Sequence, residues 1–104
     1  MKITICQVDI PVMVCTKLWS RFKGMMFIKK RLHHGYLFPH CNSIHTCFMR
    51  QPIDIIMTDQ KGIILYYYPN IKPWRIILPK KGAINTYEFS IGILPPIHIG
   101  DLIQ

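Results

Sequence analysis

Pro52-Ile53-Asp54-Ile55-Ile56-Met57-Thr58-Asp59-Gln60-Lys61-Gly62-Ile63-Ile64-Leu65-Tyr66-Tyr67-Tyr68 is the stretch from which the fold is read. Proline opens a β-branched apolar run, and Asp59-Gln60-Lys61-Gly62 then supplies turn chemistry, with Asp at the first position and Gly at the last. Two apolar runs joined by such a turn predict a β-hairpin, Ile53–Thr58 against Gly62–Tyr68. Upstream of it, Tyr36–Phe38 and Ile44–Met49 are short apolar or mixed runs. Downstream, Ala83–Ser90 alternates, with Asn85, Tyr87 and Phe89 opposing Thr86, Glu88 and Ser90, and Ile99–Ile103 forms a last strand around Gly100-Asp101. Prolines 69, 73, 79, 95 and 96 fall in the connections.

Toward the N-terminus, Ile3 to Val8 reads as a first strand that closes near Pro11, because proline cannot donate to a ladder. Thr16 is then placed as an N-cap, with Leu18, Trp19 and Phe22 on one apolar face of a short helix that Gly24 ends. The whole predicts a mainly β (α+β) chain: a small antiparallel β-barrel or sandwich-like domain, 1–104, with one short N-terminal helix.

Half of the 104 residues are apolar and 17% are charged, a balance that suits a folded core. Met1–Cys15 is broken by Gln7, Asp9 and Pro11, unlike an export signal, and no uncharged stretch approaches the roughly 20 apolar residues that span a bilayer. These features predict a cytoplasmic protein without membrane contact, whose Cys6, Cys15, Cys41 and Cys47 remain thiols. The net charge of +8 is uneven: Lys17, Arg21, Lys23, Lys29, Lys30, Arg31 and Arg50 lie between Ile10 and Ile53 with no acidic residue among them. The plain reading is a solvated face. The alternative is nucleic-acid binding through the basic half 17–50, with Tyr66-Tyr67-Tyr68 as a stacking platform.

Cys41-Asn42-Ser43-Ile44-His45-Thr46, followed by Met49, Pro52-Ile53-Asp54 and the turn at Gly62, resembles the family known as domain of unknown function 192, in a branch with a Cys-x-x-Ile-His-Thr motif. Gly24-Met25-Met26-Phe27, Pro73-Trp74-Arg75, Tyr87-Glu88-Phe89 and Gly100-Asp101 extend the likeness over nearly the full length. Ile28 departs from it where the family usually has Arg, and Cys47 where an aromatic is common. The resemblance implies a compact, mostly antiparallel β domain with a short early helix and no known reaction.

The candidate binding residues are Cys41, His45, Thr46, Asp54, Trp74, Arg75 and Glu88. A thiol, an imidazole and carboxylates are the groups of a cysteine nucleophile with its base, or of a zinc site. Cys41 and His45, however, would stand about 13 Å apart on a straight strand and meet only if Asn42-Ser43 turns the chain. Cys41-x5-Cys47 and His40-x4-His45 are poor zinc spacings, so neither a metal nor another cofactor is expected. The leading expectation is a non-catalytic binding or accessory module, with a protein partner in view; a small-molecule or catalytic pocket built on Cys41 and His45 is the alternative. A deep pocket holding both with a carboxylate in hydrogen-bond reach would favour that alternative. Ile44-His45 is expected in a central strand beside Ile53–Thr58, with His45 buried and hydrogen-bonded. Asp54 is expected to meet Arg50 or Arg75, and Trp74 to point inward with Arg75 outward.

Overall fold

The computed structural model describes residues 1–104, the side chains of Leu18 and Ser20 excepted. Eight strands run in the order β1 (Lys2–Ile5), β2 (Val8–Val14), β3 (Gly35–Phe38), β4 (Ile44–His45), β5 (Ile53–Thr58), β6 (Ile64–Ile71), β7 (Ile76–Ile77) and β8 (Asn85–Ser90). Six form one curled half-barrel sheet, ordered β1-β2-β3-β8-β5-β6, while β4 and β7 pair separately. The sheet is antiparallel except for β2 beside β3, a parallel pair joined by a crossover that contains the one helical segment, α1 (Leu18–Lys23).

The β5–β6 hairpin forms as its turn chemistry dictates. Asp59 Oδ1 accepts the Lys61 and Ile63 amides at 2.9 and 3.0 Å, and Gly62 adopts φ +92°. The N-terminal reading needs correction. Ile3–Val8 is not one strand; the chain reverses at Cys6 and Gln7, with φ of 47° and 67°, into an antiparallel β1–β2 hairpin. Nor does Pro11 end it. Val12 N donates to Met1 O, so the proline nitrogen lies on the opposite edge of β2, beyond the Val12↔Gly35 start of the β3 pairing, and no ladder bond is lost.

At α1, Leu18 is the first helical residue, so Lys17 rather than Thr16 precedes it. Trp19 and Phe22 stand 65% and 54% exposed instead of lining a buried face. A six-residue helix has no second turn with which to complete an apolar stripe.

Two apolar clusters fill opposite faces of the sheet. Alternation along β3, β5 and β8 sends Leu37, Ile56, Tyr87 and Phe89 into one, and Tyr36, Phe38, Ile53, Ile55 and Met57 into the other. Thr86, Glu88 and Ser90 consequently face the second cluster and are buried with it. The expected strand at Ile99–Ile103 is reduced to bridges, Ile63↔Leu102 and Ile5↔Ile103. These join β6 to β1, the two edges of the six-stranded sheet.

Candidate functional site

Glu88 is a carboxyl buried in the interior of the sheet. It sits on β8 between Tyr36 of β3 and Ile55 of β5, 2% exposed, among apolar neighbours. The Met25 amide donates to its carboxyl, while Oε1 has no partner among the protein's atoms. Desolvation pushes its pKa up to about 8 against this one bond, so at neutral pH it is mostly the uncharged acid. Its charge, when formed, adds to the burial that already raises the pKa of Cys15 and of Tyr36.

Gly24 explains how this carboxyl reaches a cavity. At φ +46° it takes a conformation that side chains rarely adopt, and a Cβ there would stand 2.8 Å from Phe38 Cζ and 2.9 Å from Glu88 Oε1. The space left open belongs to a cavity of about 80 Å³ whose walls include Arg21, Gly24, Cys41, Ser43, His45 and Glu88. That volume is about three water molecules' worth of liquid. A wider groove of about 700 Å³ runs along β2 between Pro11–Val14 and His33–His34, but its walls are mostly aliphatic, whereas the smaller cavity gathers guanidinium, thiol, imidazole and carboxyl.

Cys41 and His45 meet at this cavity because the chain leaves β3 through His40 at φ 52° and bends before β4. Cys41 is fixed by its backbone: N donates to Ile84 O, and O accepts Thr86 Oγ1, both at 2.7 Å. Its thiol donates to Ser43 O at 3.0 Å. His45 is half-buried, with its ring 5.8 Å from that of Phe22, and its Nδ1 accepts the Cys47 amide at 3.2 Å, so a neutral ring carries its proton on Nε2. The thiol proton and Nδ1 are thus each engaged with backbone rather than with one another, and no nucleophile–base pair is formed. Arg21 is held by Pro39 O, 2.6 Å from Nη1, and His40 O, 3.4 Å from Nη2.

The remaining candidates lie elsewhere. Ile44-His45 pairs with Ile76-Ile77 of β7, not with β5, both of whose edges are occupied by β6 and β8. Asp54 lies on the opposite sheet face, across from Phe89, and accepts the Asn70 amide at 2.8 Å instead of meeting an arginine; burial raises its pKa. Trp74 is exposed, contrary to expectation, because φ +66° turns it out of the loop, and Arg75 is exposed beside it. The tyrosine platform is also changed: Tyr66 and Tyr68 stack on each other at 6.4 Å, half-buried, and Tyr66 donates to Lys81 O. Among the described residues, no group of three or more His, Cys, Asp or Glu is placed to hold a metal ion. No helix is long and apolar enough to cross a membrane.

Thr46 is a strut rather than a wall. Fully buried, its hydroxyl donates to Lys72 O and accepts the Arg75 amide, both at 2.8 Å, which ties the Trp74 loop to β4. Thr46→Val keeps the shape but strands both groups, and is expected to cost about 2 to 3 kcal/mol in urea unfolding, with a changed Trp74 emission spectrum. Retained stability would show that the loop finds other partners.

Sequence reasoning missed Arg21, Gly24, Phe38 and Ser43 as cavity residues. The sequence offers Gly24 as a helix end and as part of the family likeness, and Arg21 as one charge of the basic half; neither carries a local signal of what lies across the sheet.

The profile of DUF192, described as an uncharacterised ACR family, matches residues 1–101. A UPF0127 protein of Pyrococcus furiosus is 30% identical over 104 residues, covering 94% of this chain and 89% of that protein. A UPF0127 protein of Thermococcus kodakarensis is 33% identical over 93 residues, 82% of this chain but only 58% of the relative's length. Among solved structures, a putative transcription regulator from Sinorhizobium meliloti has a TM-score of 0.83 at 18% identity, covering 99% of this chain and 89% of that one. A protein of unknown function from Novosphingobium aromaticivorans also has 0.83, at 19% identity, covering 100% and 84%. At these identities the structural likeness shows the fold alone.

Proposed function

The chain belongs to the DUF192 family of uncharacterised proteins, and from that premise we propose that it is a non-catalytic binding module that takes a small hydrogen-bonding group into the cavity beside Glu88. The observation that carries this reading is the buried, unpartnered Oε1 of an acid that lines the cavity, beside Gly24, where a Cβ would stand 2.9 Å from it. A buried polar atom without a partner is expensive, and a ligand oxygen accepting the Glu88 proton relieves that cost. The cavity size suits a head group no larger than an acetyl or carboxamide, and the Arg21 charge favours an anion. Four free thiols suit work in the cytoplasm.

Acetate and acetamide are the probes. Titrated near pH 6, they are expected to shift the amide resonances of Met25, Ser43 and Cys47 saturably. Acetate should weaken as pH passes about 8 and Glu88 ionises. Gly24→Ala or Cys41→Met, each of which fills the cavity, should abolish the response. Shifts scattered over the surface, or unchanged in both variants, would defeat the reading.

The catalytic alternative draws on the same convergence of Cys41, His45 and Glu88. It requires the thiol to leave Ser43 O, and would be favoured if iodoacetamide modified Cys41 faster than free glutathione.

A further inference from the structure

Away from the cavity, three loops converge on a surface of exposed rings. Phe27 packs against Phe48 with ring centroids 5.7 Å apart, and Phe48 against Trp74 at 4.7 Å. The three remain 56%, 47% and 59% exposed. Each occupies a left-handed conformation, φ of 66°, 63° and 66°, which bulky residues seldom adopt. The backbone holds them there: Phe27 N donates to Phe48 O and Trp74 N to Thr46 O, both at 3.0 Å. The rings are therefore fixed in solvent, and little ordering remains to be done when they meet a partner.

The charge around them has one sign. Lys29, Lys30, Arg50, Lys72 and Arg75, on the same loops, are all exposed. The chain has five carboxylates, and none lies on these loops. Asp54 and Glu88 are buried, Asp9 pairs with Lys2, Asp59 caps the β5–β6 turn, and Asp101 accepts the His98 amide.

We propose that this face binds single-stranded nucleic acid, with bases stacked on Phe27, Phe48 and Trp74 and phosphates beside the surrounding lysines and arginines. An acidic peptide would satisfy the charge and leave the rings without a specific partner; a lipid surface would take the rings without using their planar faces. A single strand uses both, since every base offers a π-face and every nucleotide a phosphate. The site is distinct from the cavity and does not depend on what the cavity holds.

The test is fluorescence anisotropy with labelled dT12 and its duplex, and quenching of Trp74 in a Trp19→Phe background, which leaves one tryptophan. The full chain should bind dT12 more tightly than duplex and weaken roughly 50-fold between 50 and 200 mM salt if about four phosphates are neutralised. Phe48→Ala and Trp74→Ala should each weaken binding about 5- to 100-fold with unchanged circular dichroism, because both rings are exposed. Lys30→Glu with Lys72→Glu, which touches no ring, should flatten the salt dependence. No dT12 binding at 50 mM salt, equal affinity for duplex, indifference to both ring variants, or Trp74 quenching by phosphatidylglycerol vesicles but not by dT12 would each overturn the proposal.

Discussion

Glu88→Gln is expected to stabilise the protein by about 3 kcal/mol at pH 7 and by almost nothing at pH 4. The folded protein holds the Glu88 proton up to about pH 8, whereas the unfolded chain releases it near the ordinary 4.5. Below 4.5 both states are protonated and the residue has no pH-dependent effect. As pH rises toward 8 the unfolded state binds fewer protons than the folded one, and stability falls by about 1.4 kcal/mol for each pH unit crossed. Above 8 both are ionised and the penalty is constant, at about 5 kcal/mol. Glutamine never ionises, and its carbonyl still accepts the Met25 amide. Urea unfolding of the two proteins between pH 4 and 8.5 isolates the effect, since the shift at Asp54 is common to both. A difference that does not grow with pH would mean that Glu88 is already ionised in the fold.

Gly35→Ala is expected to cost about 3 kcal/mol or more, the upper end of overpacking penalties. A Cβ at this position would run into the Phe89 ring at Cε1 and Cδ1 and stand 3.1 Å from Glu88 O. Neither side yields readily. Gly35 is fixed by β3 between β2 and β8, and the Phe89 ring is fully buried and stacked on Tyr87 with centroids 6.1 Å apart. The aromatic fills the room that a side chain on β3 would need. Combining Gly35→Ala with Phe89→Leu should return more than 1 kcal/mol of the summed single losses, because residues in direct contact couple by about 0.5 to 3 kcal/mol. A cost below 1 kcal/mol for Gly35→Ala alone would show that the ring swings aside.

The hairpin from Ile53 was legible because Asp59 and Gly62 act on their own backbone, within the window a sequence displays. The β1–β2 turn was not, since Cys6 and Gln7 carry none of the Gly or Asn signal that usually accompanies two successive left-handed residues. Pro11 misled because its cost depends on which edge its nitrogen faces, and that is settled by strand neighbours. The same holds for Ile44-His45, whose partner is supplied not by the next strand but by β7. Cys41, His45 and Glu88 stand out as residue types, but their meeting depends on the β3–β8 register that sets Glu88 across from Tyr36. Trp74 reads inward as any large aromatic does; its backbone angle sends it out.

The segment that ends in Gln104 draws both margins of the sheet together. Thr4 and Gln104 exchange two backbone hydrogen bonds of 2.9 and 3.0 Å, and Ile103 N reaches Gly62 O at 2.8 Å. In a ribosome-bound chain this clasp emerges only after all the strands it joins. Until then β1 and β6 each present a bare ladder of donors and acceptors, the template on which chains misassemble. Folding must also join residues far apart in sequence, Thr4 with Gln104, an arrangement associated with slow folding. A nascent chain short of these residues has two open edges at once, and the time it spends in that state is when another strand can capture it.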